Sequence, residues 1–135
     1  EYLQNASLMD VWKGHAAEQI VAQELRIVLD RNYRNEQYFW VRDKKGSNAE
    51  VDFVWQYQSA ILPIEVKSGT NSHLRSLHSF MSSPDAPGLA IRIWPGEYGI
   101  DEVVSPTGHR FRLINLPFYY VGMLDKLLDK VMAEG

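Results

Sequence analysis

The fold is decided by residues 50–67, which read EVDFVWQYQSAILPIEVK. Apolar, β-branched and aromatic residues dominate both ends of this stretch and are typical of strands. A short polar link over residues 57–60 separates the two ends. The pattern predicts a β-hairpin whose strands cover residues 50–56 and 61–67.

The length of the turn sets which side chains face each other across this hairpin. If Tyr57 pairs with Ala60 across the two residues between them, Asp52 lies directly opposite Glu65 on the same face of the sheet. A loop of odd length would send Asp52 to the opposite face, and a bulge at Pro63 would shift the count. We predict the even register.

Two carboxylates that face each other across paired strands repel unless a cation lies between them. Magnesium, or manganese, prefers hard oxygen ligands of this kind and leaves positions for phosphate oxygens. The backbone carbonyl of Val66 is a further candidate ligand beside Asp52 and Glu65. Lys67 projects from the same face as Glu65, so its ammonium can orient a metal-bound water or offset charge on a phosphate under attack. This combination of residues suits metal-assisted hydrolysis of a phosphodiester.

A helix predicted upstream brings one more acid. Apolar residues recur at helical spacing over residues 10–30, and Glu18 lies in the apolar stripe with Ala22, Leu25 and Leu29. Its carboxylate is therefore expected to face the interior, where it needs a cation or a hydrogen-bond donor. The alternative is that Glu18 lies at the edge of the stripe and pairs with an arginine.

The spacing of an acid and a lysine is not specific by itself. Residues 43–45, Asp-Lys-Lys, have the same spacing in a polar turn, without an apolar strand or a partner carboxylate. Residues 65–67 differ because they end an apolar strand that is expected to pair with the strand carrying Asp52. The simpler alternative is that Glu65 and Lys67 form a weak ion pair on a solvated face of the sheet.

The rest of the chain alternates between strand and helix patterns. The expected elements are strands over 37–42, 89–94 and 110–116, a short helix that ends at Ser83, a helix over 118–132, and a long loop over 95–108. The resulting order αβββαββα predicts an α/β domain with a central mixed β-sheet flanked by helices. We expect residues 1–135 to form a single domain.

Composition limits the classes of function. The sequence has 135 residues, of which 45% are hydrophobic, with no cysteine and a formal net charge of −3. The lack of cysteine excludes disulfides, a thiolate zinc site and a cysteine nucleophile, and fits a reducing compartment, so we predict a cytoplasmic protein. The sequence has no apolar run long enough to span a membrane, no phosphate-binding GxxxxGK[ST] loop and no GxSxG motif. We therefore expect no membrane partner.

A local basic run offers one edge suited to nucleic acid. Because the chain is mildly acidic overall, binding to DNA or RNA has to come from a local patch. Between positions 26 and 45, basic residues exceed acids by a local balance of +3; they are Arg26, Arg31, Arg34, Arg42, Lys44 and Lys45. The simpler interpretation of such a run is a solvated face.

Taken together, these residues resemble the PD-(D/E)XK nuclease superfamily, whose αβββαβ core carries a helix acid, a strand Asp and a Glu-x-Lys triplet. The likeness extends to the uncharacterised C-terminal domain of many bacterial and archaeal AAA-type ATPases. It covers most of the chain and rests on residues 14–18, 23–25, 50–54, 63–69, 76–77, 80 and 114–119. Val51 stands where the superfamily motif has proline, a substitution that keeps the neighbouring carboxylate of Asp52.

The resemblance implies a restriction-endonuclease-like fold and a division of roles within the site. Asp52 and Glu65 would be metal ligands, Lys67 the catalytic lysine, and Glu18 the helix acid that contacts the metal or its water. The resemblance further implies a Mg²⁺- or Mn²⁺-dependent nuclease-like domain that acts on DNA or RNA. This domain would follow an ATPase domain in a longer parent chain.

Two other classes of function remain open from the sequence. One is a non-catalytic adaptor that binds its own ATPase domain, a partner protein or nucleic acid. The other is an oligomerisation domain, which would expose an apolar patch along the helix that we predict near the C-terminal end of the chain. The sequence does not set the oligomeric state.

Overall fold

The structure is a computed structural model that describes residues 2–31, 38–41, 51–67 and 75–134, with side chains described for residues 14–31, 51–67 and 76–134. The helices are α1 (Tyr2–Arg31), α2 (Arg75–Phe80), a 3₁₀-helix (Phe118–Met123) and α3 (Leu124–Ala133). The strands are β1 (Tyr38–Val41), β2 (Phe53–Tyr57), β3 (Ala60–Val66), β4 (Leu89–Trp94), β5 (Gly99–Val104) and β6 (Arg110–Pro117).

A mixed sheet of six strands, in the order β1-β2-β3-β4-β6-β5, organises the described residues. Strands β3, β4 and β6 are parallel, whereas β1, β2 and β5 pair with their neighbours in the antiparallel sense. The carboxyl ends of β3, β4 and β6 therefore meet at one edge, which is where open α/β sheets usually place their ligands. The predicted α/β class, with a central mixed sheet flanked by helices, is confirmed.

Helices cover both faces of the sheet, and each face has its own apolar cluster. On the face that we call the α1 face, Leu25 of α1 and Leu128 of α3 pack against a cluster that includes Ile64. On the opposite face, the α2 face, Leu77 of α2 packs in a cluster with Leu113. Because strand side chains alternate between faces, these clusters assign the strand residues beside them to one face or the other.

The hairpin of β2 and β3 has the predicted even register. Tyr57 pairs with Ala60, and Phe53 pairs with Ile64. The turn between the strands places Gln58 at a φ of 52°, in the left-handed region that such tight turns use. The predicted even register is therefore confirmed for Phe53–Tyr57, the residues of β2 that pair with β3.

The regular alternation of side chains between the two faces of the sheet ends at the first residue of β2. The Asp52 N–H donates to the carbonyl of Ile64 at 3.1 Å, although Ile64 is already the partner of Phe53. Val51 packs in the α2-face cluster while Phe53 packs in the α1-face cluster, so residues of equal parity lie on opposite faces. Asp52 thus lies at a local irregularity, and the prediction that it shares a face with Glu65 stays a prediction.

Two predicted elements were wrong. The expected loop over 95–108 contains β5 (Gly99–Val104), an edge strand stabilised by its antiparallel pairing with β6. Its adjacent acids, Asp101 and Glu102, hide the strand pattern in the sequence. The expected helix over 118–132 begins as the 3₁₀-helix and becomes α-helical only at Leu124, consistent with Gly122 weakening the preceding turn.

Part of the predicted basic edge lies outside the described residues, namely Arg34, Arg42, Lys44 and Lys45. Arg31 is described, and its Nη2 atom donates to the Gly122 carbonyl at 2.6 Å and to Asp125 Oδ1 at 2.9 Å. These contacts fix the end of α1 to the helices that follow β6. None of the helices in the described part of the chain has the length and apolarity needed to cross a bilayer.

We expect substitutions at two aliphatic residues of α1 to differ in their effect on the free energy of unfolding. Leu25 is 0% exposed and Ile27 is 51% exposed. Because Leu25→Ala leaves a cavity under the sheet, we expect it to lower the free energy of unfolding by about 2–5 kcal/mol. Ile27→Ala should change it by less than about 0.5 kcal/mol. Urea unfolding of both variants measures this, and equal losses would contradict the assigned packing of α1.

Candidate functional site

Glu65 and Lys67 form the first pair of the site, at the carboxyl end of β3. Lys67 Nζ lies 3.1 Å from Glu65 Oε1, as expected for residues two apart on one strand face. Glu65 is 5% exposed, and its second oxygen, Oε2, has no hydrogen-bond partner among the described residues. A buried carboxylate oxygen without a partner is costly, so this atom is suited to accept a cation or a donor.

Asp52 contacts the same end of β3 through its side chain. Its Oδ2 atom accepts a hydrogen bond of 2.8 Å from the Val66 N–H. Because the Val66 nitrogen is two bonds from the Glu65 Cα, Asp52 Oδ2 lies within roughly 5 Å of that Cα atom. The structure therefore brings Asp52 and Glu65 to the same end of the hairpin, with Asp52 only 7% exposed.

The Val66 carbonyl faces the Asp52 side of β3. The Lys67 N–H donates to the Ile93 carbonyl of β4 at 2.8 Å, so the backbone of Lys67 points toward β4. In a strand, neighbouring residues direct their backbone groups to opposite sides, and both groups of one residue point to the same side. The N–H and C=O of Val66 therefore point toward Asp52, where the carbonyl can act as the predicted third oxygen ligand.

A polar row continues across the α2 face of the sheet from Glu65 through Arg92, Asn115 and Asp101. Glu65 pairs in register with Arg92, and Arg92 pairs with Asn115. Arg92 Nε donates to Asn115 Oδ1 at 2.8 Å, and Asn115 Nδ2 donates to Asp101 Oδ2 at 2.7 Å. These hydrogen bonds orient the Arg92 side chain beside Glu65.

Arg92 is a buried cation with unused donor capacity. It is 6% exposed, and its Nη1 atom has no hydrogen-bond partner among the described residues. Burial lowers the pKa of the Arg92 guanidinium from its ordinary value, whereas the charges of Asp101 and Glu65 oppose that shift. Arginine stays protonated under such conditions, so Arg92 places a permanent positive charge next to the two carboxylates.

Glu18 is not joined to the hairpin by any hydrogen bond or ion pair that the structure shows. It is half-buried on α1, at a position between the interior and the solvent. Across the described part of the chain, no three or more His, Cys, Asp or Glu side chains cluster closely enough to hold a metal ion. The predicted metal role of Glu18 therefore stays a prediction, and the candidate ligands found at the same end of the hairpin are Asp52, Glu65 and Val66.

Sequence reasoning missed Arg92, Asn115 and Asp101. Arg92 interrupts the apolar run of residues 89–94, and Asn115 interrupts that of residues 113–118. The same criterion that singled out Glu65, a polar residue flanked by apolar residues within a strand, would have found the first two. The position of Asp101 could not be found in this way because its strand was read as a loop.

The contact between Asp52 and Val66 predicts different effects for two substitutions. Asp52→Ala removes the acceptor of a buried N–H group, whereas Asp52→Asn keeps a side-chain oxygen. Both remove the negative charge of Asp52, so the difference between them reflects the lost side-chain contacts, including this hydrogen bond, and not the loss of charge. We expect Asp52→Ala to be less stable than Asp52→Asn by about 1–3 kcal/mol in urea unfolding. Equal stability of the two variants would contradict this role of Asp52.

Comparison with known proteins identifies a family for most of these residues. The sequence profile of a family described as "Domain of unknown function (DUF4143)" matches residues 13–119. This range contains Glu18, the hairpin residues of the site and the whole polar row. No curated protein matches the chain. The chain belongs to the DUF4143 family of uncharacterised domains.

Proposed function

We propose that this domain hydrolyses phosphodiester bonds of nucleic acid with the help of a bound divalent cation. The observation that carries the proposal is the buried Glu65 carboxylate, whose Oε2 atom has no partner among the described residues, at the end of β3 that Asp52 contacts through the Val66 N–H. Paired acids of this kind are stabilised by a hard cation such as Mg²⁺ or Mn²⁺.

The residues present fit such a cation. Asp52 and Glu65 would supply carboxylate oxygens, and Val66 would supply its backbone carbonyl. Glu65 and Val66 lie on β3 and Asp52 directly precedes β2, so packing of the hairpin holds all three at one end of the sheet without a cation. When bound, a divalent cation supplies Lewis acidity toward a phosphate oxygen and lowers the pKa of a coordinated water.

Lys67 supports the same chemistry from the protein side. Its ammonium lies 3.1 Å from Glu65 Oε1, and its side chain is 24% exposed, so it can reach a substrate at the edge of the sheet. In this position it would orient the attacking water or stabilise negative charge that develops on the phosphate. Glu18 would contact the cation or its water from α1, although the structure shows no hydrogen bond or ion pair between Glu18 and the hairpin.

The finer assignments extend this proposal. The resemblance to PD-(D/E)XK nucleases supports nucleic acid, and DNA first, as the substrate. The resemblance to the domain that follows AAA-type ATPases supports an ATPase domain of a longer parent chain as a partner. Arg31 contributes little to the proposed basic edge, because Asp125 and the Gly122 carbonyl already engage its guanidinium.

A non-catalytic adaptor is the second candidate, and one observation favours it. An apolar groove of about 350 Å³ lies between the 3₁₀-helix, α3 and the loop before β5, lined by Tyr98, Leu116, Tyr120, Met123, Lys126, Leu127 and Lys130. Tyr119 beside it is 78% exposed. The occupant that this candidate names is the ATPase domain of the parent chain. An adaptor predicts that the chain binds no divalent cation at the hairpin.

Metal binding and cleavage separate these candidates. We expect the wild-type chain to bind Mg²⁺ or Mn²⁺ in isothermal titration calorimetry, and Asp52→Asn and Glu65→Gln to weaken that affinity at least about tenfold, because each removes a ligand charge. Lys67→Gln should keep cation affinity within about threefold and reduce cleavage of a DNA oligonucleotide at least about a hundredfold.

Glu102→Gln is the matched control. It makes the same charge change on the exposed edge strand β5, away from the hairpin, and should change neither cation binding nor cleavage. A wild-type chain that folds but binds neither cation would contradict the proposed hydrolase and favour the adaptor. Cation binding that survives both Asp52→Asn and Glu65→Gln would place the cation elsewhere.

A further inference from the structure

We propose that Arg92 is a phosphate-binding residue, whose buried guanidinium receives a non-bridging oxygen of a phosphodiester beside the hairpin carboxylates. This inference rests on the proposed function for its substrate class, and it assigns a substrate contact to a strand outside the hairpin. Asn115 and Asp101 act as positioning residues that hold the guanidinium from behind.

The first support is the unused donor on Arg92. Its Nε atom is occupied by Asn115 Oδ1 at 2.8 Å, whereas Nη1 is buried without a partner among the described residues. An unmatched donor on a buried cation is costly, and native structures retain few of them. A phosphate oxygen is the acceptor that a planar guanidinium matches best.

The second support is that the guanidinium is held in place before any ligand binds. The Arg92 Cζ atom lies 4.3 Å from the centroid of the Trp94 ring, within range of a cation–π contact. The Trp94 indole N–H donates to the Glu97 carbonyl at 3.1 Å. Gly96 leaves room for this ring, since a Cβ atom at that position would lie 2.5 Å from it. Such preorganisation lowers the entropy lost when an anion binds.

The third support is location. Arg92 is the register partner of Glu65 on the neighbouring parallel strand, so their Cα atoms are about 5 Å apart. Both side chains project from the α2 face, and both lie where the parallel strands end. A phosphate that contacts a cation held by Asp52 and Glu65 would therefore lie within reach of Arg92.

The charge of the site fits a phosphodiester only when a divalent cation is present. Among the described residues of the site, three carboxylates, those of Asp52, Glu65 and Asp101, outnumber the two cations Lys67 and Arg92 by one. The net charge is thus −1, which disfavours an anion. A bound divalent cation reverses it to +1, which matches the single negative charge of a phosphodiester. We therefore expect phosphate to bind tightly only together with the cation.

The test measures binding of Mg²⁺ and of inorganic phosphate to the folded chain by calorimetry, without a cleavage readout. In the presence of saturating Mg²⁺, Arg92→Gln should weaken phosphate binding at least about tenfold. It should leave Mg²⁺ affinity unchanged or slightly tighter, because it removes a positive charge next to the ligand carboxylates. Arg92→Lys, which keeps the charge but loses the planar fork, should give an intermediate phosphate affinity.

Arg110→Gln is the control, because it removes one positive charge as Arg92→Gln does. Arg110 is exposed at the start of β6, whereas Asn115 lies near the other end of that strand. Phosphate affinity should be unchanged in this variant. A structural arginine that only neutralises Glu65 predicts another outcome, in which Arg92→Gln lowers the melting temperature but leaves phosphate affinity at the wild-type value. That result would overturn the inference, as would a wild-type chain that binds Mg²⁺ but no phosphate.

The failure of the proposed function can be told apart from the failure of this inference. If the wild-type chain binds no Mg²⁺, the hydrolase proposal fails. The role of Arg92 is then decided by measuring phosphate binding to Glu65→Gln without metal, because this variant lacks the carboxylate that competes with phosphate for Arg92. Phosphate binding by Glu65→Gln that is lost in the double variant Glu65→Gln/Arg92→Gln would support Arg92 as the phosphate-binding residue. No phosphate binding by Glu65→Gln, or equal binding by both, would overturn it.

Discussion

The turn between β2 and β3 sets the pairing of two strands, and each polar side chain of the hairpin takes its place from that pairing. Tyr57 pairs with Ala60, so the start of β2 meets the end of β3, and Asp52 reaches the Val66 N–H at 2.8 Å. A slip of one residue would turn Phe53 and Trp55 out of the core, at a cost of several kcal/mol. The apolar core therefore fixes which end of the hairpin carries both carboxylates, and packing keeps them there despite the repulsion expected between like charges.

The other polar residues of the site balance the negative charge that packing holds at this end of the hairpin. Lys67 neutralises one oxygen of Glu65 from the same strand, and Arg92 adds a second positive charge from β4. Arg92 is in turn oriented by Asn115 and, through it, by Asp101 at the far edge of the sheet. The polar row thus links the hairpin to β5 across the parallel strands. A chain of this kind keeps the guanidinium in one orientation, which a solvent-exposed arginine would not retain.

Sequence reasoning predicted the hairpin well, because local turn length and strand alternation determine it. It predicted that Asp52 shares a face with Glu65, and this stays a prediction because regular alternation ends at Val51, which packs in the α2-face cluster. It missed β5, since an edge strand with adjacent acids is stabilised by pairing with β6 rather than by its own pattern. It also missed Arg92, because the position of Arg92 between Glu65 and Asn115 is set by the pairing of three strands that are distant in sequence.

The central claim is that the end of the β2–β3 hairpin binds a divalent cation. The most direct measurement is a crystal structure of the wild-type chain grown with Mn²⁺, with anomalous data that locate the ion. The account predicts an anomalous peak about 2 Å from carboxylate oxygens of Asp52 and Glu65 and from the Val66 carbonyl. No peak at this position at saturating Mn²⁺, with the hairpin folded as described, would contradict it.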